Sequence, residues 1–220
     1  MSRFRLTIVR FAALLVAALA LSSLGAAAQT MQLQEGKQYV RLKNPQPVET
    51  GSKIEVIEFF SYGCPHCADL DPELQTWTKT LPADVQFRRV PVLFQERWIA
   101  LAKVYYTLEA LGVEQRLTPE VFTALHKQGV NLSSDKVFFD WAASKGLDRK
   151  KVEEMYQSFA ISGKVNRAKA LGATYRVQSV PYIVVDGKFA TGSAEVGSHA
   201  AMPGAINALV AKARAERPKS

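Results

Sequence analysis

Cys64 and Cys67 are the residues of this chain whose type and spacing most directly suggest chemistry, and they are its only two cysteines. Such a pair can serve as a structural staple, as part of a metal site or as a redox couple. A staple between them would close a very short loop, and stabilisation by loop closure grows with loop length, so little would be gained. Zinc needs about four ligands. Beyond the two cysteines the chain offers His66, His126 and His199, which are scattered along it. No metal site is expected, and reversible thiol–disulfide exchange is the best use of the pair.

The surrounding sequence predicts how the pair is held. Lys53-Ile54-Glu55-Val56-Ile57-Glu58-Phe59-Phe60-Ser61 is β-branched and aromatic, as a strand is. Tyr62-Gly63 breaks it, and Cys64-Pro65-His66-Cys67 opens a helix running to about Lys79. Pro65 falls in the first turn, where the missing N–H costs nothing. Cys64 is therefore expected at a helix N-terminus, where unpaired N–H groups and the macrodipole favour a thiolate. Cys67, one turn further in, is expected to point inward as the resolving thiol. Pro72 inside the helix implies a bend that serves tertiary packing.

The N-terminus reads as an export signal. Arg3, Arg5 and Arg10 precede an almost wholly apolar run from Phe11 to Leu24, and Ala26-Ala27-Ala28 supplies the small residues a signal peptidase reads. The run is shorter than the roughly 20 residues that span a bilayer, and no cysteine for lipid attachment lies nearby. Residues 1–28 are expected to be cleaved, leaving Gln29 first and lowering the net charge from +8 to +5 by the loss of three arginines. The remaining charges are mixed in sign, with no basic stripe interleaved with aromatics, which argues against nucleic-acid binding.

The segment Phe59-Phe60-Ser61-Tyr62-Gly63-Cys64-Pro65-His66-Cys67 resembles the active-site region of the DsbA family of thiol:disulfide interchange proteins. The similarity extends upstream through Glu35-Gly36-Lys37-Gln38-Tyr39 and downstream to Val180-Pro181. The resemblance implies an α/β fold, a thioredoxin-like domain whose central mixed sheet is flanked by helices and interrupted by an all-helical insertion. It implies Cys64 as nucleophile and Cys67 as its buried partner. It further implies His66, beside Pro65, as a stabiliser of the Cys64 thiolate, and Glu58 as a buried acid beneath the pair. Val180-Pro181 would be the cis-proline loop that binds extended substrate. Gly63, Ala68 and Pro72 depart from the best-known relatives and bear on groove shape.

The remaining pattern fits that architecture. Strands are expected at Gln38–Leu42, Lys53–Ser61 and Val85–Val92, and Tyr182–Val185 and Lys188–Ala190 flank Asp186-Gly187, a hairpin signal. Trp98, Leu101, Val104, Tyr105 and Leu108 recur at helical spacing and end at Gly112. Thr118-Pro119 reads as an N-cap and first helical residue. Further helices start at Ser133 or Ser134 and at Asp148, and a long one covers Gly163–Thr174. Met202 to Ala215 is the last. Trp77, Trp98 and Trp141 are expected in the core, and His126 and His199 on the surface. The division is a signal at 1–28, a thioredoxin-like domain at 29–96 and 168–220, and a helical insertion at 97–167.

The expected function is that of a periplasmic dithiol oxidase donating its Cys64–Cys67 disulfide to newly exported proteins. No cofactor is needed beyond that disulfide. The expected partners are exported cysteine-containing polypeptides and, by the resemblance, an inner-membrane DsbB-type oxidase; the protein is expected to be a monomer. Two other readings stay open: a disulfide reductase or isomerase, and a non-catalytic, chaperone-like module for exported polypeptides. Isomerases of this compartment usually add a dimerisation domain, for which Met31–Asn44 is too short.

Overall fold

A computed structural model describes residues 31–218, and the expected signal segment and its cleavage point lie outside the described residues. In chain order the elements are β1 (Val40–Arg41), β2 (Ile54–Phe60), α1 (Pro65–Thr78), β3 (Val85–Pro91), α2 (Glu96–Ala110), α3 (Glu114–His126), α4 (Asp135–Ser144), α5 (Arg149–Gln157), α6 (Phe159–Thr174), β4 (Tyr182–Val185), β5 (Phe189–Gly192), α7 (Ser193–Val196) and α8 (Met202–Glu216). The five strands form one mixed sheet in the order β1-β5-β4-β2-β3. β2 pairs in parallel with β3 and antiparallel with β4. This is the thioredoxin-like α/β fold, with α2 to α6 inserted in sequence between β3 and β4.

All seven residues of β2 are buried, because helices cover both faces of the sheet. Alternation along the strand divides the core in two. Ile54 and Val56 face Leu70 and Leu74 of α1 and Ile206 and Leu209 of α8. Ile57 and Phe59 belong to a larger core containing both cysteines and the inward faces of α2 to α6. The C-terminal end of β2 thus emerges between two packed layers, and the redox pair follows it directly.

Several expected boundaries shift for identifiable reasons. β1 is an edge strand of two residues, paired only through Val40 with Ala190 and Arg41 with Phe189. Thr118 is not an N-cap. The helix starts a turn earlier at Glu114, directly after the left-handed Gly112, and Pro119 lies within it. Thr118 turns inward instead, hydrogen-bonding Tyr62 and Glu114. α6 begins at Phe159 rather than Gly163, because Ser158 caps it by accepting from the N–H of Ile161. A division at 167/168 would fall in the middle of this continuous helix. The Asp186-Gly187 hairpin is present, with φ values of 55° and 62° at the two turn residues, a type I′ signature.

Candidate active site at the start of the first helix

Cys64 is the N-cap of α1, with extended backbone (φ −98°, ψ 116°), and Pro65 occupies the first turn. The sequence folds this way because Tyr62-Gly63 ends the strand and the Cys64 N–H closes a tight turn onto Ser61 O at 3.0 Å. Both cysteines are free thiols; Cys64 is 6% exposed and Cys67 is fully buried. The Cys64 Sγ lies 3.5 Å from the carbonyl oxygen of Val180, which precedes Pro181 across a cis peptide bond. The segments expected to meet, 64–67 and 180–181, are thus adjacent in space although more than 110 residues apart in sequence.

The two thiols have opposed electrostatics. The Cys64 thiol is lowered to about 7, chiefly because the Cys67 thiol donates a hydrogen bond to it. The backbone N–H groups of Cys67 and His66 help, the charge of His66 adds less, and burial opposes all of these. Cys67 is pushed well above the ordinary thiol range, first by burial, then by its role as donor to Cys64 and by the nearby charge of Glu58. Low and high thiol values side by side suit a couple in which one sulfur is exchanged with outside partners and the other stays inside.

His66 is placed differently from a group packed on sulfur. Its side chain is 75% exposed, and its Nδ1 lies 3.9 Å from Asp69 Oδ2. It forms one wall of a cleft of about 460 Å³ that also includes Val180, Pro181, Glu195 and His199. The His66 and His199 rings approach to 6.3 Å. His126 is exposed, as a surface histidine should be, yet its Nε2 is 2.8 Å from the carbonyl oxygen of Tyr62, two residues before Cys64.

Glu58 is 1% exposed and lies in register with Arg89 on the neighbouring strand, with Arg89 Nε donating to Glu58 Oε2 at 2.7 Å. Arg89 also donates to Asp71 Oδ1 at 2.6 Å and to Glu114 Oε1 at 3.5 Å. Burial raises the Glu58, Asp71 and Glu114 carboxyls despite the guanidinium that opposes it. Three carboxylates facing one cation in a dry site cannot all ionise cheaply, so the upward direction is physically sound. The sequence reading missed Arg89, Asp71 and Glu114. Asp71 lies four residues after Cys67, on the same helix face, whereas Arg89 stands beside Arg88 in a strand of mixed polarity and carried no signal of its own.

Among the described residues, no group of three or more His, Cys, Asp or Glu side chains is placed to hold a metal ion. The DSBA-like thioredoxin domain family matches residues 55–200. The thiol:disulfide interchange protein DsbA of Pseudomonas aeruginosa is 44% identical over 177 residues, which is 80% of this chain and 84% of that protein. The DsbA of Burkholderia cepacia is 39% identical over 195 residues, 86% of this chain and 91% of its own length. The crystal structure of Pseudomonas aeruginosa DsbA superposes with a TM-score of 0.80 at 40% identity, covering 83% of this chain and 95% of the other. A family match over that span, with that identity and a shared fold around the Cys64–Cys67 helix end, places the chain in the DsbA family of thiol:disulfide oxidoreductases.

Proposed function

We propose that the protein oxidises dithiols of exported polypeptides in the periplasm, with Cys64 as the exchanging sulfur and Cys67 as its resolving partner. The observation that carries this reading is the Cys64 thiol: lowered to about 7, at a helix N-terminus, 3.5 Å from Val180 O. A substrate thiolate attacks Cys64 Sγ in the enzyme disulfide, and the electron pair of the broken S–S bond goes to Cys67. The substrate's second thiolate then attacks its own sulfur in the mixed disulfide and releases Cys64 as a thiolate. A thiol of low pKa leaves readily and makes its disulfide a better oxidant, a rule for which DsbA is itself a standard example.

Val180 and Pro181 would line the substrate site. The Val180 carbonyl offers an acceptor beside the sulfur, and an extended peptide can pair there in strand-addition manner. Pro181 has no N–H to compete for it. His66 and Pro65 would shape the rim next to Cys64, and Glu58 would exchange a proton with Cys67. Export through the signal at 1–28, a helical insertion at 97–167, action as a monomer and reoxidation by an inner-membrane DsbB-type oxidase belong to the same proposal.

The test is equilibration of the purified protein with glutathione, read by thiol trapping, together with oxidation of a reduced, unfolded cysteine-containing protein. The disulfide of an oxidant becomes reduced even where the glutathione pool is mostly oxidised, and it forms disulfides in the unfolded protein stoichiometrically. A Cys64–Cys67 disulfide that persists in excess reduced glutathione would overturn the reading in favour of a reductase.

A further inference from the structure

The chain leading into the Val180-Pro181 loop passes from one cleft to another of different chemistry. The cleft bordered by His66 and Pro181 contains the carboxylate of Glu195 and no lysine or arginine. Val177 and Gln178, just before the loop, line a second cleft of about 380 Å³ with Leu93, Phe94, Lys169 and Arg176. A third, of about 450 Å³, shares Arg176 and Gln178 with it and adds Arg41 and Lys43. Among the described residues that line these two adjoining clefts there is no carboxylate. Arg41 is paired with Glu216, which leaves the exposed Lys43, Lys169 and Arg176 as a set of cations along one trough.

The apolar wall of the trough reaches the nucleophile. The Val92 N–H donates to the carbonyl of Phe60 at 2.8 Å, four residues before Cys64. Half-exposed Phe94 stacks on Trp98, whose indole lies against Gly63, the residue before Cys64. Arg176, on the cationic side, is held in a strained place. α6 closes in a Schellman turn, with the Arg176 N–H donating to Ala173 O and the Val177 N–H to Gly172 O, both at 3.0 Å. That turn needs a left-handed residue, and Arg176 supplies it at φ 51°. Past the ends of α2 and α4 the left-handed residues are Gly112 and Gly146, which carry no steric penalty there. An arginine where glycine would sit more easily points to a use for its charge.

We propose that this apolar, cationic trough is a substrate subsite that selects polypeptides with an apolar and an acidic residue close to one side of the reacting cysteine. The inference rests on the redox reading above and deepens it by naming the substrate class. An extended chain paired beside Val180 advances about 3.3 Å per residue. Val177 lies three positions from Val180, so substrate residues two to four from the cysteine come opposite the trough. There the apolar side chain packs on Leu93 and Phe94, and the acid meets Arg176 or Lys169.

Substrate residues on the other side of the cysteine pass the cleft that holds Glu195, where an acid gains nothing. The two sides of the reacting cysteine are therefore read by different chemistry. The cations line concave walls, which fit a polypeptide rather than a flat lipid surface. Complementary charge of this kind acts on encounter and on partner choice more than on the chemical step.

The test is oxidation of four reduced peptides, each with the same two cysteines, by the purified, oxidised protein. Leu-Glu or Leu-Lys is placed two to three residues before the first cysteine or after the second. On one side, and not on the other, the Leu-Glu peptide should show a kcat/KM about 3- to 10-fold above that of its Leu-Lys counterpart. The ratio should fall towards unity in about 0.5 M salt, which screens exposed charge. Arg176→Gly should bring it below about 2-fold while melting no lower than the wild type, because glycine is favoured at that turn. The ratio is taken within each protein, so a general loss of activity does not move it. A wild-type ratio near unity overturns the subsite. So does a preference equal on both sides, which is the attraction of a positive protein for any acidic peptide, or a preference that Arg176→Gly leaves unchanged. Binding to phosphatidylglycerol vesicles that Arg176→Gly abolishes, with no peptide preference, would assign the surface to a membrane and overturn it too. A wild type that oxidises none of the peptides overturns the redox reading and this one together, whereas oxidation of all four at one rate overturns this one alone.

Discussion

The indole of Trp98 occupies the space that a side chain on Gly63 would need: a Cβ built there would meet Trp98 Nε1 at 2.6 Å and Leu101 Cδ1 at 3.1 Å. Trp98 is 7% exposed, its Nε1 has no hydrogen-bond partner, and its ring stacks on the half-exposed Phe94. The residue before the nucleophile is therefore small because a tryptophan of α2 lies over it. Gly63→Ala should cost about 1–3 kcal/mol in urea unfolding, the usual range for overpacking a core. Most of that loss should vanish when the same change is made in a Trp98→Leu background. A double-mutant cycle without coupling would separate the two residues.

The thiolate at Cys64 depends on its neighbours in a definite order. Since the Cys67 thiol is the largest stabiliser and the His66 charge the smallest of those named, Cys67→Ala should raise the alkylation midpoint of Cys64 more than His66→Ala does. In the wild type that midpoint should fall near pH 7, while Cys67 stays protected. The measurement is the pH dependence of iodoacetamide labelling in the three proteins. A larger shift for His66→Ala would move the imidazole from the rim into contact with the sulfur.

Arg89 is the single cation among three buried or half-buried carboxylates, so its removal strands their charge. Arg89→Leu should cost about 3–5 kcal/mol at neutral pH, the range for breaking a buried pair from one side. Without the guanidinium the folded-state carboxyls rise further above their unfolded values. A raised acid disfavours the folded state wherever the unfolded chain is ionised, so the deficit should shrink as pH falls from the raised folded values towards about 4, the unfolded carboxylate range. Urea titrations at pH 4 and pH 7 check this. A deficit equal at both values would point to lost packing against Phe60 and Phe87, whose rings lie 5.7 and 5.5 Å from the guanidinium carbon.

Legibility in the sequence followed the range of the interaction. Cys64 at a helix start, β2, the Asp186-Gly187 hairpin and the stop glycine at 112 were readable because each is set by residues a few positions apart. The meeting of Cys64 with Val180 came only through family resemblance, since no local pattern links residues 116 positions apart. The Arg89 cluster was missed because it draws on four elements, and each member alone resembles an ordinary strand or helix charge. Thr118 was misread for a related reason. Its helix-capping pattern with Pro119 is locally sound, but hydrogen bonds to Tyr62 and Glu114 and the earlier start after Gly112 override it.

Redox state and pH share control of stability. In the reduced protein Cys64 is lowered from an ordinary value of 9.0 to about 7. A thiol depressed in the folded state contributes stability that is full above the unfolded pKa and is lost as pH falls through the folded one. The reduced form should therefore gain on the oxidised form by up to about 1.4 kcal/mol per pH unit between roughly 7 and 9, and by little below pH 6. Cys67 acts in the opposite sense. It is raised in the folded state, so once the unfolded chain ionises near pH 9 it begins to favour unfolding and the gain levels off. The oxidised protein has neither thiol and should show no such slope from this pair. Paired urea unfolding curves of both redox forms at pH 6, 7, 8 and 9 measure the difference directly. A difference that stays flat from pH 6 to 9 would mean that Cys64 ionises as in the unfolded chain, and the oxidant mechanism would lose its driving group.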